Sequence, residues 1–225
     1  MGTSAMRDAK GGDEVRQIVK ELFGVEARTI SGDEEARLTF LGGTSGLGLT
    51  GEACVFDIGG GSTEVVVGRG KEITFEHSFD IGSVRLTERH MKSDPPTQAE
   101  LDAVRENAEN VLAPLGNLHL KEGPLVGIAG TVTTLAAVSL GLVPYDGARV
   151  HGSTMTRAEM ETVTFDLAKL PMSQRMNVPG LEPKRADVIV AGGLIALAVM
   201  DILGRAECRI SDRGVRWGLV EEISP

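Results

Sequence analysis

Apolar and polar positions along the chain change period several times, and each period predicts a different kind of element. Residues 13–24 place apolar side chains at helical spacing and end at a glycine, which predicts a helix. Residues 25–30 alternate as a half-buried strand does. Residues 31–43 return to a helical spacing that Gly42 and Gly43 are expected to end. The chain is therefore expected to begin with a helix, a strand and a second helix.

β-rich runs follow the glycine-rich loop at residues 44–52. The runs at 53–58, 63–70 and 72–80 are short and separated by glycine or charged turns, so they predict an antiparallel meander of three strands. The later periods predict helices within 83–91, 93–115, 156–170, 188–200 and 213–223, a strand–turn–helix unit over 124–142, and a strand over 207–211.

This succession of elements predicts an α/β fold in which helices cover a mixed sheet. The sheet and its helices make up one complete domain over residues 50–225. Only a helix, a strand and a helix precede it, which is too little for a separate domain. Residues 1–49 are therefore expected to be the carboxy-terminal remnant of a truncated first domain.

The composition indicates a substantial hydrophobic core and argues against nucleic-acid and membrane partners. With 41% hydrophobic residues the chain can bury a substantial core, and a net charge of −9 without a basic cluster argues against a nucleic-acid partner. The longest apolar run, between Asp187 and Asp201, is too short to span a membrane, so no membrane partner is expected. Cys54 and Cys208 lie in apolar stretches and predict buried, reduced thiols and a cytoplasmic location, with a disulfide between them as the alternative.

The stretch from Asp57 to Glu64 reads Asp-Ile-Gly-Gly-Gly-Ser-Thr-Glu and joins two of the predicted strands. A dinucleotide-binding loop would need a glycine in place of Glu64 and a helix after it, and a Walker loop would need a lysine, so neither type fits. Successive glycine amides can instead form a concave turn that binds phosphate oxygens, while Asp57 and Glu64 hold Mg²⁺ directly or through water. A glycine-rich hairpin with solvated acids is the alternative.

The acidic start of the second predicted helix contains a candidate base. Ser31 is the expected N-cap, and Asp33 and Glu34 suit the first turn, where Glu34 completes a capping box. Glu35 has no such local role. It shares a helix face with Leu38, so we expect its side chain to point inward and to be available for chemistry.

The loop Asp-Ile-Gly-Gly-Gly-Ser-Thr-Glu resembles the second phosphate loop of the exopolyphosphatase and guanosine pentaphosphate phosphohydrolase family. Further stretches resemble other signatures of that family in the same order, at residues 2–9, 30–42, 127–137, 185–193 and 211–219. The resemblance implies a ribonuclease H-like fold of the actin, Hsp70 and sugar kinase superfamily. It also implies that most of the first domain, with an opposing loop of the type Asp-Leu-Gly-Thr-Asn-Ser, is missing.

The same resemblance implies roles for individual residues. Glu35 is expected to position and deprotonate the water that attacks the terminal phosphorus. The implied phosphate contacts are Gly59, Gly60, Gly61, Ser62, Thr63, Arg7 and Arg216. Gly130, Thr131 and Arg213 are further candidates for contact with phosphate or nucleotide, because the first two begin a helix, although a plain β–α turn is the alternative there. Mg²⁺, or another divalent ion such as Mn²⁺, is expected at the two acids of the loop.

These features predict a phosphoanhydride hydrolase that releases the terminal phosphate of inorganic polyphosphate or the 5′ γ-phosphate of pppGpp. Two alternatives stay open. One is an ATP-dependent kinase or ATPase of the same fold group, and the other is a non-catalytic module that binds polyphosphate or guanosine tetra- and pentaphosphate. A homodimer is also expected.

Overall fold

The computed structural model of the protein describes residues 11–118 and 123–223. Its helices are α1 (Gly12–Phe23), α2 (Gly32–Thr44), α3 (Ser83–His90), α4 (Gln98–Leu112), α5 (Ala129–Ser139), α6 (Gly147–Val150), α7 (Arg157–Ala168), α8 (Met172–Arg175), α9 (Ile189–Ile202) and α10 (Val215–Ile223). Its strands are β1 (Ala53–Ile58), β2 (Thr63–Arg69), β3 (Glu72–Phe79), β4 (Leu125–Ile128), β5 (Thr154–Thr156) and β6 (Glu207–Ser211). Short 3-10 turns lie at Ala113–Asn117 and Pro183–Arg185.

The strands form one mixed sheet in the order β3-β2-β1-β4-β6-β5. β1, β2 and β3 pair in antiparallel fashion, which confirms the predicted meander. β4 pairs parallel with both β1 and β6, and the short β5 closes the far edge. The carboxyl ends of β1, β4 and β6 therefore meet at one edge of the sheet, which is where α/β proteins usually place ligands.

Alternate side chains of β1 face two different cores. Cys54, Phe56 and Ile58 pack into the larger core beneath α4, α5, α7 and α9. Val55 packs on the opposite face with Phe40 of α2, and α10 lies against α2. Because side chains alternate along a strand, Asp57 lies on the same face as Val55, toward α2.

Helix α2 shares a core with the sheet. Phe40 and Leu47 pack with apolar residues of β1, β2 and β4. The proposed division of the chain into residues 1–49 and 50–225 stays a prediction. The packing of α2 nevertheless means that Glu35 is carried on an element fixed directly to the sheet.

The strand predicted over residues 25–30 is not formed. Among the described residues of this segment, only Thr29 makes an isolated bridge. Alternation of apolar and polar side chains yields a strand only where a neighbouring backbone completes the ladder, and the described sheet places no strand beside this segment.

Gly42 and Gly43 do not end α2, which continues to Thr44. A methyl group on Gly42 would overlap the carbonyl of Gly214, and one on Gly43 would lie 3.1 Å from Val55. These two glycines are therefore required for close packing of α2 against its neighbours, and they do not act as a stop signal.

The predicted N-cap of α2 is confirmed, since Ser31 Oγ accepts a hydrogen bond from the amide of Glu34 at 3.1 Å. The capping box is not completed, because the Glu34 carboxylate pairs with both terminal nitrogens of Arg28. At α7 the box is complete, with Thr156 as the predicted cap and Glu159 as its partner.

The two cysteines are buried and free, as predicted. Cys54 on β1 and Cys208 on β6 are separated by β4, and two strand spacings amount to about 10 Å, too far for a disulfide. Burial raises the pKa of the Cys54 thiol to about 12, and it also raises the pKa of Cys208.

Helix α9 is the buried core helix expected from the longest apolar run. Among the helices within residues 11–118 and 123–223, none is both long and apolar enough to cross a bilayer.

Candidate active site

The loop between β1 and β2 is held from one side by the amino terminus of α3. The amide of Ser83 donates to the carbonyl oxygen of Gly59 at 2.9 Å. The amide and the Nε of Arg85 donate to the carbonyl oxygens of Gly60 and Gly61, both at 3.0 Å. In a trans peptide group the C=O and N–H bonds point in opposite directions. The amides that belong to these three peptide groups therefore face away from α3.

Those three amides belong to Gly60, Gly61 and Ser62, and none of them donates to an acceptor in the described part of the chain. The amide of Gly59 closes the turn by donating to the carbonyl oxygen of Ser62 at 2.9 Å. Three adjacent N–H groups are thus left for an external acceptor, and phosphate oxygens are suited to such a turn.

Internal packing limits the space at Gly59 and Gly60 and leaves Gly61 unexplained. None of Gly59, Gly60 and Gly61 has a left-handed φ. A methyl group on Gly60 would lie 3.1 Å from Val84, and one on Gly59 would lie 3.2 Å from the carbonyl oxygen of Ser62, whereas one on Gly61 would meet only the Arg85 side chain, at 3.7 Å. The absence of side chains leaves the amides open to close approach by a ligand.

Two threonines among the candidate ligands have committed hydroxyls. Thr63 Oγ1 donates to the carbonyl of Ile81 at 2.8 Å, and Thr131 Oγ1 donates to the carbonyl of Ile58 at 3.1 Å. Both side chains are buried. Their hydroxyls hold the base of the loop to α5 and to the segment before α3, so their direct contact with a ligand stays a prediction.

Asp57 and Glu64 face each other across β1 and β2. Directly opposite residues place their Cβ atoms about 5 Å apart on one face of the sheet. Burial, the charge of Glu64 and then the charge of Glu35 raise the pKa of Asp57 to about 7. The structure therefore places Glu35, on a separate helix, close enough for its charge to act on the hairpin pair of Asp57 and Glu64. Glu64 also accepts a hydrogen bond from Ser78 Oγ at 2.8 Å.

The pair of Asp57 and Glu64 fits a divalent ion that a phosphate helps to hold. Mg²⁺ is usually bound by one or two carboxylates together with water and substrate phosphate. Besides burial, the negative charges of Glu64 and Glu35 raise the pKa of Asp57, and a bound cation would offset these charges. Within residues 11–118 and 123–223, no group of three or more His, Cys, Asp or Glu side chains is arranged to hold a metal by itself.

We expect Asp57→Asn to stabilise the metal-free protein at pH 8. The raised pKa means that the folded state holds this proton more tightly than the unfolded chain, whose aspartate has a pKa of about 4. The free energy of unfolding should therefore fall as the pH rises from about 4 to about 7, and asparagine avoids this loss. Thermal melts with a chelator should show a gain of roughly 1–2 kcal/mol at pH 8 and none at pH 4.

Asp102→Asn, on the exposed side of α4, is the control and should show no such pH-dependent gain. At pH 8, Mg²⁺ should raise the Tm of the parent protein and not that of Asp57→Asn. Equal stabilisation of both proteins by Mg²⁺ would rule out Asp57 as a ligand.

Glu35 lies in the first turn of α2, half-buried, with its charge acting on Asp57. Helix α2 is fixed from outside by α10, through an ion pair of Arg37 with Glu222 and a hydrogen bond from Ser45 to Glu221. The position of Glu35 relative to the loop therefore depends on the contact between these two helices.

A cavity of about 900 Å³ extends from Asp57 across the carboxyl ends of β4 and β6. Gly130, Arg213 and Arg216 line it, so the structure brings these predicted residues to the same site as Asp57. Arg7 lies outside the described residues.

The two arginines after β6 differ in their surroundings. Arg213 donates to Ser45 Oγ at 2.7 Å, and its guanidinium lies 4.2 Å from the ring centroid of Trp217. It therefore links α2 to α10. Arg216 is exposed on the cavity wall, where it can contact a ligand more freely.

Arg185 and Ala129 line the cavity but were not among the candidates. The Arg185 guanidinium lies so close to Gly130 that a methyl group there would overlap it. Arg185 is the first residue of the segment 185–193 whose resemblance was noted, and that was the available signal. Ala129, the first residue of α5 and directly after β4, has a φ of 60°, the strained left-handed region, which is a recurring feature of functional turns.

Comparisons with known proteins identify the family of the chain. The sequence profile of the Ppx/GppA phosphatase family matches residues 1–225. Exopolyphosphatase 2 of Mycobacterium tuberculosis is 38% identical over 207 residues, which cover 87% of this chain and 63% of that protein. The guanosine-5'-triphosphate,3'-diphosphate pyrophosphatase of Photobacterium profundum is 28% identical over 225 residues, which cover 99% of this chain and 44% of that protein. The chain thus spans less than two thirds of the length of these relatives.

A solved structure of the PPX-GPPA enzyme of Aquifex aeolicus superposes with a TM-score of 0.89 at 35% identity, over 98% of this chain and 73% of that one. This similarity confirms the predicted α/β fold of the actin and sugar kinase type. The match of the whole sequence and the match of the fold lead to the same assignment. The chain belongs to the Ppx/GppA phosphatase family.

Proposed function

We propose that the protein hydrolyses the terminal phosphoanhydride of inorganic polyphosphate or the 5′ γ-phosphate of pppGpp. The observation that carries this proposal is the row of three outward-facing amides on the loop beside Asp57, Glu64 and Glu35. The relatives are named for activity on these two kinds of substrate. Both contain a terminal phosphate on a phosphoanhydride bond, so one site can serve either.

In this mechanism Glu35 orients a water molecule toward the terminal phosphorus and accepts its proton as the new P–O bond forms. The bond to the bridging oxygen breaks, and the shortened chain leaves with the electron pair. The amides of Gly60, Gly61 and Ser62 donate to the phosphate oxygens. A divalent ion held by Asp57 and Glu64 would supply positive charge for the same oxygens.

The cavity wall favours pppGpp over inorganic polyphosphate. Four large apolar side chains that line it are exposed: Val143 (74%), Tyr145 (48%), Met176 (43%) and Trp217 (43%). Inorganic polyphosphate has no apolar part to cover them, whereas a nucleoside does. A base placed against this wall would leave its phosphates directed toward Asp57.

The test is Mg²⁺-dependent phosphate release from pppGpp, polyphosphate and ATP. We expect the highest kcat/KM with pppGpp. Trp217 is the single tryptophan of the chain, so its fluorescence reports on the cavity directly. Guanosine tetraphosphate should change that fluorescence in the parent and more weakly in Tyr145→Ala, while tripolyphosphate should leave it unchanged. Ile223→Ala, exposed at the end of α10, is the control.

Each alternative has its own signature in these assays. A non-catalytic module would bind the ligands but release no phosphate from any of the three substrates. This result should then hold both for this chain and for a form of the length of its relatives. Turnover of ATP only with an acceptor would favour a kinase. A higher kcat/KM with polyphosphate would contradict the preference for pppGpp.

A further inference from the structure

We infer that Arg85 is a positioning residue for the phosphate loop, an inference that rests on the proposed function. Its side chain fixes the orientation of one peptide group, between Gly61 and Ser62, and so directs the Ser62 amide toward the phosphate. Arg85 acts from behind the loop and does not touch the substrate.

The guanidinium is held on two sides. Its Nε donates to the Gly61 carbonyl at 3.0 Å, and its terminal nitrogens lie 3.1 and 2.7 Å from the Asp80 carboxylate oxygens. Asp80 follows β3 directly, at the turn into α3. Because an arginine fork bound to a carboxylate at two points has little freedom to rotate, the donor to Gly61 stays aimed at its acceptor.

The loop and the start of α3 are in close contact on the side of Gly59 and Gly60. A methyl group on Gly82 would overlap the carbonyl of Gly60. Ser83 adds a second donor to Gly59 through its Oγ, at 3.2 Å. The amino terminus of α3 thus fixes the carbonyls of Gly59 and Gly60 through direct backbone contact.

Of the three oriented peptide groups, the last depends on a side chain. The carbonyls of Gly59 and Gly60 accept from backbone amides of α3, which substitution leaves in place. The carbonyl of Gly61 accepts from the Arg85 side chain. A positively charged donor on this carbonyl also polarises the peptide group, which makes the Ser62 N–H a stronger donor to phosphate.

The position of Arg85 excludes a direct role in binding the phosphate. The carbonyls point toward α3 and Arg85, and the amides point the opposite way. A ligand on the amide side is separated from the guanidinium by the loop itself. A loss of affinity in an Arg85 variant would therefore come from a misdirected amide.

The experiment compares Arg85→Met and Arg85→Lys with Arg89→Met. Arg89 lies one turn further along α3, is exposed and makes no hydrogen bond to the loop, so it controls for loss of a charge from this helix. We expect Arg85→Met to lower kcat/KM for pppGpp about ten- to hundredfold, mainly through KM. Arg85→Lys should recover part of the loss, and Arg89→Met should match the parent.

A second measurement needs no substrate. In amide hydrogen exchange followed by NMR, the amide of Gly59, which donates to the carbonyl of Ser62, should exchange several-fold faster in Arg85→Met than in the parent or in Arg89→Met, because the turn loses its support. If the parent hydrolyses none of the substrates, the proposed function fails, and the exchange rates still decide the role of Arg85. An Arg85→Met that matches Arg89→Met in both assays overturns the inference. So does a loss of activity that simply follows a fall in Tm.

Discussion

Replacement of Glu35 by glutamine is expected to slow phosphate release by about 10²- to 10⁴-fold, the usual contribution of a general base. Glutamine has the same size and can stay on the half-buried face of α2, but it cannot accept a proton from water. Affinity for the substrate should be retained, since the loop amides and Asp57 are unchanged. Steady-state phosphate release and ligand binding, measured on one preparation, separate the two effects.

Glu34→Gln is the matched control. Glu34 is the neighbouring residue on the same helix turn, and its carboxylate is already paired with Arg28. It should retain near-parent turnover. A Glu35→Gln protein with parent rates, or equal losses in the two variants, would remove Glu35 from the mechanism.

The second large effect is expected from Gly218→Ala in α10. Alanine normally stabilises a helix interior relative to glycine. At this position the added methyl group would overlap the carbonyl of Leu38, because the backbones of α2 and α10 are in contact. We expect a loss of about 3 kcal/mol in the free energy of unfolding, measured by denaturant titration. Because Glu35 lies one turn before Leu38, displacement of α2 should reduce phosphate release as well.

Gly32→Ala, in the partner helix α2, is the control, and it is expected not to destabilise the protein. Gly32 is the first residue of α2, and a methyl group there would have nothing within 4 Å. It should be neutral or stabilise the protein by up to about 1 kcal/mol. Equal destabilisation by both substitutions would show that the loss in Gly218→Ala does not come from the contact between α2 and α10, since Gly32 makes no such contact.

The features that were predicted correctly from the sequence are those that depend on residues close together in the chain. The turn between Asp57 and Glu64, the N-caps Ser31 and Thr156, and the meander around the turn follow from turn residues and short periods, and the structure contains them. The prediction that α2 ends at Gly42 was wrong, because that glycine allows a close contact with Gly214, a residue far along the chain. No local pattern reveals such a contact.

The candidate site shows the same division. That Asp57 and Glu64 face each other could be expected from a hairpin, but the proximity of Glu35 to them depends on how α2 packs on the sheet. Arg85 and Arg185 were not predicted. Arg85 donates to the carbonyl of Gly61 and Arg185 packs against Gly130, and only the fold brings these residues together. The family resemblance named the segment that contains Arg185, and it said nothing about the support of the loop by α3.

The burial of Cys54 and Cys208 has a practical consequence for the study of this protein. A thiol reacts with maleimides as the thiolate, and burial raises the pKa of both groups far above neutral pH. Toward such reagents the folded chain should behave as if it contained no cysteine. A single cysteine introduced on an exposed surface can then be labelled alone in the otherwise native sequence. Two introduced cysteines, one on α2 and one near the loop between β1 and β2, would carry paired probes that report the distance between these elements during turnover.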